Sequence, residues 1–271
     1  MADGRAPLFV RLSAGLHVAA GALLVADPRA WPLVVATIIP DHLLLTWGSL
    51  RPRSTLVGAN LRRLPDADAA RTVALTFDDG PDPATTPLVL DLLEAKGARA
   101  SFFCVGRKAE RHPGLVEQIA RRGHRVENHS FSHSNGFCML PPGAMGRDID
   151  RAQALLARLA GRRPRYFRAP AGLRSPWLDG LLRERDLALV SWTRRGLDTI
   201  SRRPARVTER LLRDLAAGDI LVLHDGGHGS APGAAPRSVG LEALPRLLDA
   251  VAAAGLRIAP LPAPAEAAVA V

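Results

Sequence analysis

The chain has 271 residues, 47% of them apolar and 4% aromatic, which suffices for one large domain with an appendage or for two modest domains. The formal charge is +10, and of the 36 basic residues only Lys96 and Lys108 are lysine. The arginines are scattered and not interleaved with aromatic residues, which speaks for compositional bias and against a nucleic-acid surface. Two cysteines, Cys104 and Cys138, provide no disulfide framework, and Cys104 in the run SFFCVG reads as a small buried hydrophobe.

Two apolar segments come first. Residues 8–26 (LFVRLSAGLHVAAGALLVA) and 31–50 (WPLVVATIIPDHLLLTWGSL) each approach the ~20 residues that cross a bilayer. Arg11 and His17 interrupt the first, and Pro40, Asp41 and His42 interrupt the second near its middle, where charge is costly. Three readings are open: a transmembrane hairpin, a pair of interfacial amphipathic helices, or a signal peptide followed by a second apolar run. If the hairpin is taken, Arg51, Arg53, Arg62 and Arg63 after it outnumber the single Arg29 in the connection. Positive-inside bias then places the large domain on the cytoplasmic face of a bacterial inner membrane, the alternative being periplasmic or extracellular.

From about Leu64 the pattern alternates between strand and helix. Predicted strands are 72–77, 100–106, 125–127, 166–170, 187–192, 219–225 and 256–258; predicted helices are 84–96, 113–122, 143–159, 176–185, 204–216 and 241–253. Such alternation implies a parallel sheet, open or closed into a barrel. The division expected is an apolar region, 1–63, and a catalytic domain, 64–271.

Polar clusters fall at the ends of these strands, the edge that carries active sites in parallel α/β folds. They are Asp78-Asp79-Gly80, Asn128 to His133, Arg168 to Gly172, Asp198, and His224-Asp225. His129 and His133 are four apart, so on a helical turn they would share one face and could hold one ion. With a carboxylate they form a His₂-Asp set that leaves coordination positions open, the arrangement of a catalytic metal. A solvated histidine pair and a turn-forming Asp-Asp are the alternatives. Two acids at one rim suit separate tasks, one holding the metal and the other taking a proton.

The ordered motifs TFDDG (76–80), HSFSH (129–133), RAPAG (168–172) and LVLHD (221–225) resemble those of the polysaccharide deacetylase family, the NodB-homology or family 4 carbohydrate esterases. The resemblance covers roughly residues 71–258. It implies a distorted parallel (β/α) barrel of NodB type, here preceded by the apolar helical hairpin. It also implies a metal-dependent hydrolase that removes N-linked acetyl groups from an amino-sugar glycan or a lipid-linked sugar, with metal-activated water as the nucleophile. Carried over residue by residue, it implies that Asp79, His129 and His133 bind a divalent metal, Zn²⁺ in most members. Asp78 is then the general base, Arg168 its partner, His224 the general acid and Asp198 the residue orienting His224. Trp192 and Leu223 wall the acetyl pocket, and the backbone N–H near Ala171 faces the oxyanion. Many members carry Tyr where this chain has Ala171, a change in one pocket wall.

Two other functions stay in view. One is a deformylase or deacetylase of a polyprenyl-linked sugar; the other is a non-catalytic sugar-binding membrane protein. Nucleic acid is not an expected partner. Asp82 reads as a turn residue, Asp225 as an anchor of its own loop, His112 and His124 as surface groups, and Cys138 and Met139 as a hydrophobic rim. His228, in the run GGHGSAPG, reads as part of a flexible loop.

Overall fold

The fold was obtained as a computed structural model, which describes residues 6–65, 70–226 and 238–263. Two helices open it, α1 (Leu8–Ala26) and α2 (Trp31–Leu50), joined by a 3-10 turn at Pro28–Ala30 in which the Asp27 carboxylate accepts the Arg29 N–H. Both are long and apolar enough to cross a membrane, and Leu12, Val18, Val25, Leu33 and Leu43 stand exposed on them. Polar side chains meet between the helices: the Ser13 hydroxyl donates to Asp41 Oδ2 at 2.7 Å, and the Nε2 atoms of His17 and His42 lie 2.9 Å apart.

The remainder is a curled parallel sheet wrapped by helices. Its strands are β1 (Thr72–Asp78), β2 (Ser101–Cys104), β3 (Arg125–Asn128), β4 (Tyr166–Phe167), β5 (Ala188–Leu189), β6 (Arg194–Arg195), β7 (Ile220–His224) and β8 (Arg257–Ala259). The order across the sheet is β5-β4-β3-β2-β1-β7-β6, with β8 added to the start of β1. Every strand pair is parallel. The helices are α3 (Thr86–Ala95), α4 (Gly106–Arg111), α5 (Pro113–Arg121), α6 (Pro142–Ala160), α7 (Leu178–Arg183), α8 (Pro204–Leu212) and α9 (Val239–Ala253). The short α4 and β6 were not predicted. With six and two residues, neither is long enough to show a periodicity.

Strand alternation sorts the core into two layers. Leu75, Phe77, Phe102, Val126, Leu221 and Leu223 pack under the helices, whereas Ala74, Phe103, Tyr166, Val190 and Ile220 fill the barrel interior. Val89 and Leu93 of α3, Ile119 of α5 and Leu247 of α9 close the outer layer.

Residues 51–65 are more than a tether. Leu61 pairs alongside the β5 edge of the sheet, its N–H donating to Leu189 O and its carbonyl accepting from Ser191 N–H, both at 2.9 Å. Leu64 N–H then donates to Gly218 O at 2.8 Å. Arg174 ties α2 to the barrel: its Nη2 donates to the carbonyls of Gly48 and Ser54, at 3.3 and 2.7 Å, which satisfies a helix end that would otherwise lack partners.

Candidate active site

Sheet register brings the motifs together. Asp78 is paired with His224 on one side and Phe103 on the other, Cys104 with Asn128, and Asn128 with Phe167. One rim therefore carries the ends of β1, β7, β3 and β4, from which Asp79, Asp225, His129 and Arg168 follow directly. Because alternate side chains enter the barrel, Thr76 and Asp78 share its interior with Arg168.

Asp79, His129 and His133 converge with ligand atoms within 4.8 Å of one another. Asp79 Oδ1 lies 3.3 Å from His129 Nε2 and 3.0 Å from His133 Nε2. The two histidines do not share a helix face, as their spacing suggested. The segment from Ser130 to His133 is an irregular turn with Ser130 at φ 63° and His133 at φ 47°, and Asp79 itself is at φ 71°. Left-handed backbone at three non-glycine residues is unfavourable by itself and persists where surrounding contacts impose it. Here Asp148 accepts from the N–H groups of Phe131 and Ser132, and the Ser130 hydroxyl accepts from His133 N–H at 3.0 Å. Burial works against the charge of Asp79, yet the hydrogen bonds to His129 and His133 hold its carboxyl well below the usual range.

This donor set fits a divalent transition metal: two imidazole nitrogens and one carboxylate oxygen, with nothing further required of the protein. His129 Nδ1 donates to the Arg168 carbonyl at 2.8 Å, which fixes the tautomer and turns the Nε2 lone pair toward the cluster.

Asp78 and Arg168 form a buried pair, Nη1 to Oδ1, at 2.6 Å. The guanidinium is 1% exposed and has its other donors on Thr76 Oγ1 at 2.8 Å and Ser191 O at 2.8 Å, with Phe103 stacked at 4.1 Å. A desolvated ion pair is stable only when so fully bonded. Asp198 grips His224 twice, taking the Nδ1–H at 2.9 Å and the backbone N–H at 2.8 Å. Burial lowers the imidazole pKa, but the Asp198 hydrogen bond, then the charges of Asp198, Asp78 and Asp79, carry it above its ordinary value.

One cavity is lined by Asp78, Asp79, His129, His133, Ala171 and His224, with Trp192 as a wall. The expected wall residue Leu223 lies elsewhere, at 0% exposure among the outer-layer core side chains. Val222 takes the wall position, for the period-2 reason that it and His224 point the same way along β7. Arg195 also lines the cavity, 5.3 Å from the Trp192 ring, and the run TRRG gave no sign of it. Ala171 sits at φ 54° in a 3-10 turn on the rim.

Of the secondary readings, Asp82 caps the turn before α3 by accepting from Ala84 N–H at 2.9 Å. Asp225 anchors its loop by accepting from the Thr86 hydroxyl at 2.6 Å, and its burial pushes the carboxyl up to about 7. His124 is not a surface group. It is buried, accepts the Ala100 N–H on Nδ1 at 3.1 Å, and packs edge-on to Phe102, all of which follows from its place just before β3. Cys104 is buried as expected, Met139 is exposed, and His228 lies outside the described residues.

The family profile described as "Polysaccharide deacetylase" matches residues 66–188. A peptidoglycan-N-acetylglucosamine deacetylase of Bacillus cereus is 31% identical over 193 residues, 70% of this chain and 66% of that protein. A chitooligosaccharide deacetylase of a Bradyrhizobium species is 31% identical over 208 residues, 74% of this chain and 94% of that one. The chain belongs to the polysaccharide deacetylase family. Among solved structures, a peptidoglycan N-acetylglucosamine deacetylase superposes with a TM-score of 0.65 at 30% identity, covering 75% of this chain and 91% of the other. A family 4 carbohydrate esterase from Streptomyces lividans gives 0.61 at 30% identity, with 69% and 91% covered. The curled parallel sheet is the fold of this family, and the chain is a hydrolase of the deacetylase type.

Proposed function

We propose that the chain is a metal-dependent deacetylase of N-acetylglucosamine-containing glycans, anchored to a membrane by α1 and α2. Its parts are an apolar anchor, 1–63, and a catalytic domain, 64–271, with residues 51–65 threaded into the sheet edge. One observation carries the activity: a held carboxylate (Asp78), a His₂-Asp donor set and a carboxylate-paired histidine (His224) line a single cavity. The names of the relatives support the substrate class.

Asp79, His129 and His133 would hold the ion, Zn²⁺ being the one this donor set suits. When bound it would supply Lewis acidity toward the acyl oxygen and the attacking water. Asp78 takes the proton of that water; Arg168 holds its Oδ1, so the carboxylate is fixed in place before attack. The backbone N–H of Ala171 is the protein's donor to the developing oxyanion. His224, oriented by Asp198, which also raises its pKa, gives its proton to the departing amine. Acetate and a free amino sugar result. Trp192 and Val222 wall the acyl methyl from water.

The positive charges that follow α2 favour a cytoplasmic-facing domain. The test is acetate release from chitotetraose, with and without chelator, by the wild type and by Asp78→Asn. Release that chelator abolishes, zinc restores and Asp78→Asn lacks is expected. A wild type inert toward every N-acetylated amino sugar after metal loading overturns the reading and favours a non-catalytic sugar-binding protein.

A further inference from the structure

A second cavity, of about 930 Å³, opens where the hairpin meets the barrel. Trp47 and Leu50 at the end of α2 form one wall, and Arg51, Arg53 and Arg62 of the following segment lie around it. Trp192 is common to this cavity and to the catalytic one. The volume is that of a site for a sizeable small molecule.

The charges at this cavity are unbalanced. Among the described residues, no carboxylate lies within 4.0 Å of Arg51, Arg53 or Arg62, whereas neighbouring Arg63 is spent on buried Asp219 at 2.5 Å. Arg53 uses one Nη on the Thr193 carbonyl at 3.0 Å, Arg62 reaches the Arg53 carbonyl at 3.5 Å, and Arg51 lies over the Trp47 ring at 4.9 Å. These contacts orient the three guanidinium groups and leave most of their donors uncommitted. Like charges gathered without a counter-ion repel, and a phosphate both neutralises them and matches the guanidinium fork.

The apolar wall specifies more than an anion. Trp47 and Leu50 continue the exposed apolar surface of α2, so a ligand seated here meets hydrocarbon on one side and arginines on the other. The spacing to the catalytic cavity is fixed. A Cβ on Gly172 would stand 2.7 Å from Pro52 and 2.8 Å from Trp192, so the segment after α2 is packed directly on the RAPAG turn. Arg174 pins the same junction.

We propose that this cavity binds the phosphate ester of a lipid-linked amino sugar. The lipid lies along α2, the phosphate among Arg51, Arg53 and Arg62, and the sugar passes Trp192 to present its N-acyl group to Asp78. The proposal rests on the deacetylase reading and narrows its substrate from a neutral glycan to a phosphate-anchored one.

The test uses the full chain in detergent with two substrates, N-acetylglucosamine joined to a prenyl chain through diphosphate and neutral chitotetraose. For Arg51→Gln/Arg53→Gln/Arg62→Gln, KM for the prenyl diphosphate sugar is expected to rise at least about tenfold with kcat little changed, and KM for chitotetraose to stay put. Inorganic pyrophosphate should compete with the first substrate only. Equal effects on both substrates, or none on either, overturn the proposal. Phosphatidylglycerol vesicles displacing the prenyl diphosphate sugar as well as unlabelled ligand does would assign the arginines to the bilayer surface, and also overturns it. If the wild type hydrolyses neither substrate, the deacetylase reading fails separately. Quenching of tryptophan fluorescence by the prenyl diphosphate sugar, lost in the triple variant, then decides the binding site by itself.

Discussion

His129 and Arg168 are joined at 2.8 Å, imidazole Nδ1 to backbone carbonyl, while the side chain of the same arginine holds Asp78 at 2.6 Å. One residue therefore orients a ligand of the proposed metal through its backbone and the proposed proton acceptor through its guanidinium. The two functions are separable by substitution, since only the second needs the side chain.

Arg168→Lys should lower kcat by roughly 10²-fold, because a compact ammonium lacks the planar fork whose two Nη atoms reach Thr76, Asp78 and Ser191, and Asp78 is left free to shift. Zinc affinity should change little, since His129 keeps its carbonyl partner. Steady-state kinetics beside a zinc titration check this, and an unchanged kcat would show that Asp78 is held by something else.

Removal of the ion should abolish deacetylation reversibly. His133→Gln should weaken zinc binding by at least the ~10–100-fold typical of losing an outer-sphere partner. Calorimetric titration of the chelator-stripped protein measures it. Equal affinity in the variant would remove His133 from the ligand set.

The acid limb of catalysis gives a pH signature. In the proposed mechanism His224 acts while protonated, and its pKa is raised, so activity should fall as pH climbs through a value above the ordinary 6.5 of imidazole. Asp198→Asn removes the hydrogen bond and charge that raise it, and should move the alkaline limb of kcat/KM to lower pH. A limb that does not move would separate the pair from proton transfer.

Stability should carry the mark of His124. Burial, then the charges of Arg99 and Arg122, lower its pKa from 6.5 to about 4. The unfolded chain therefore binds the proton first, and stability is lost as pH falls below 6.5 toward 4. The shift corresponds to about 3 kcal/mol at most. His124→Asn keeps an acceptor for Ala100 N–H without titrating, so its melting temperature should fall less than that of the wild type between pH 7.5 and pH 5. Parallel falls would place the pH sensitivity elsewhere.

Much of the site is legible before folding. Asp78-Asp79, His129, His133, Arg168 and His224 were placed by strand-end motifs, because a parallel strand delivers whatever follows it to one rim. The failures are equally specific. Leu223 was expected in the acyl pocket, and the two-residue period of β7 sends Val222 there instead. The burial of His124 is not legible in the sequence, because a residue between helix and strand has no periodicity to report it. Arg195 carried no local signal at all.

The sequence by itself determined the chemistry: which carboxylates, imidazoles and guanidinium groups exist, and that each closes a short apolar run. It also determined the two long apolar helices. Tertiary structure decided which of these groups meet. Asp198 reaches His224, Arg168 reaches Asp78 across 90 residues of chain, and Arg51, Arg53 and Arg62 come to lie beside Trp192. Such pairings depend on sheet register, curl and the backbone strain at Asp79, Ser130 and His133. Those are set by packing between distant segments, which no local pattern encodes.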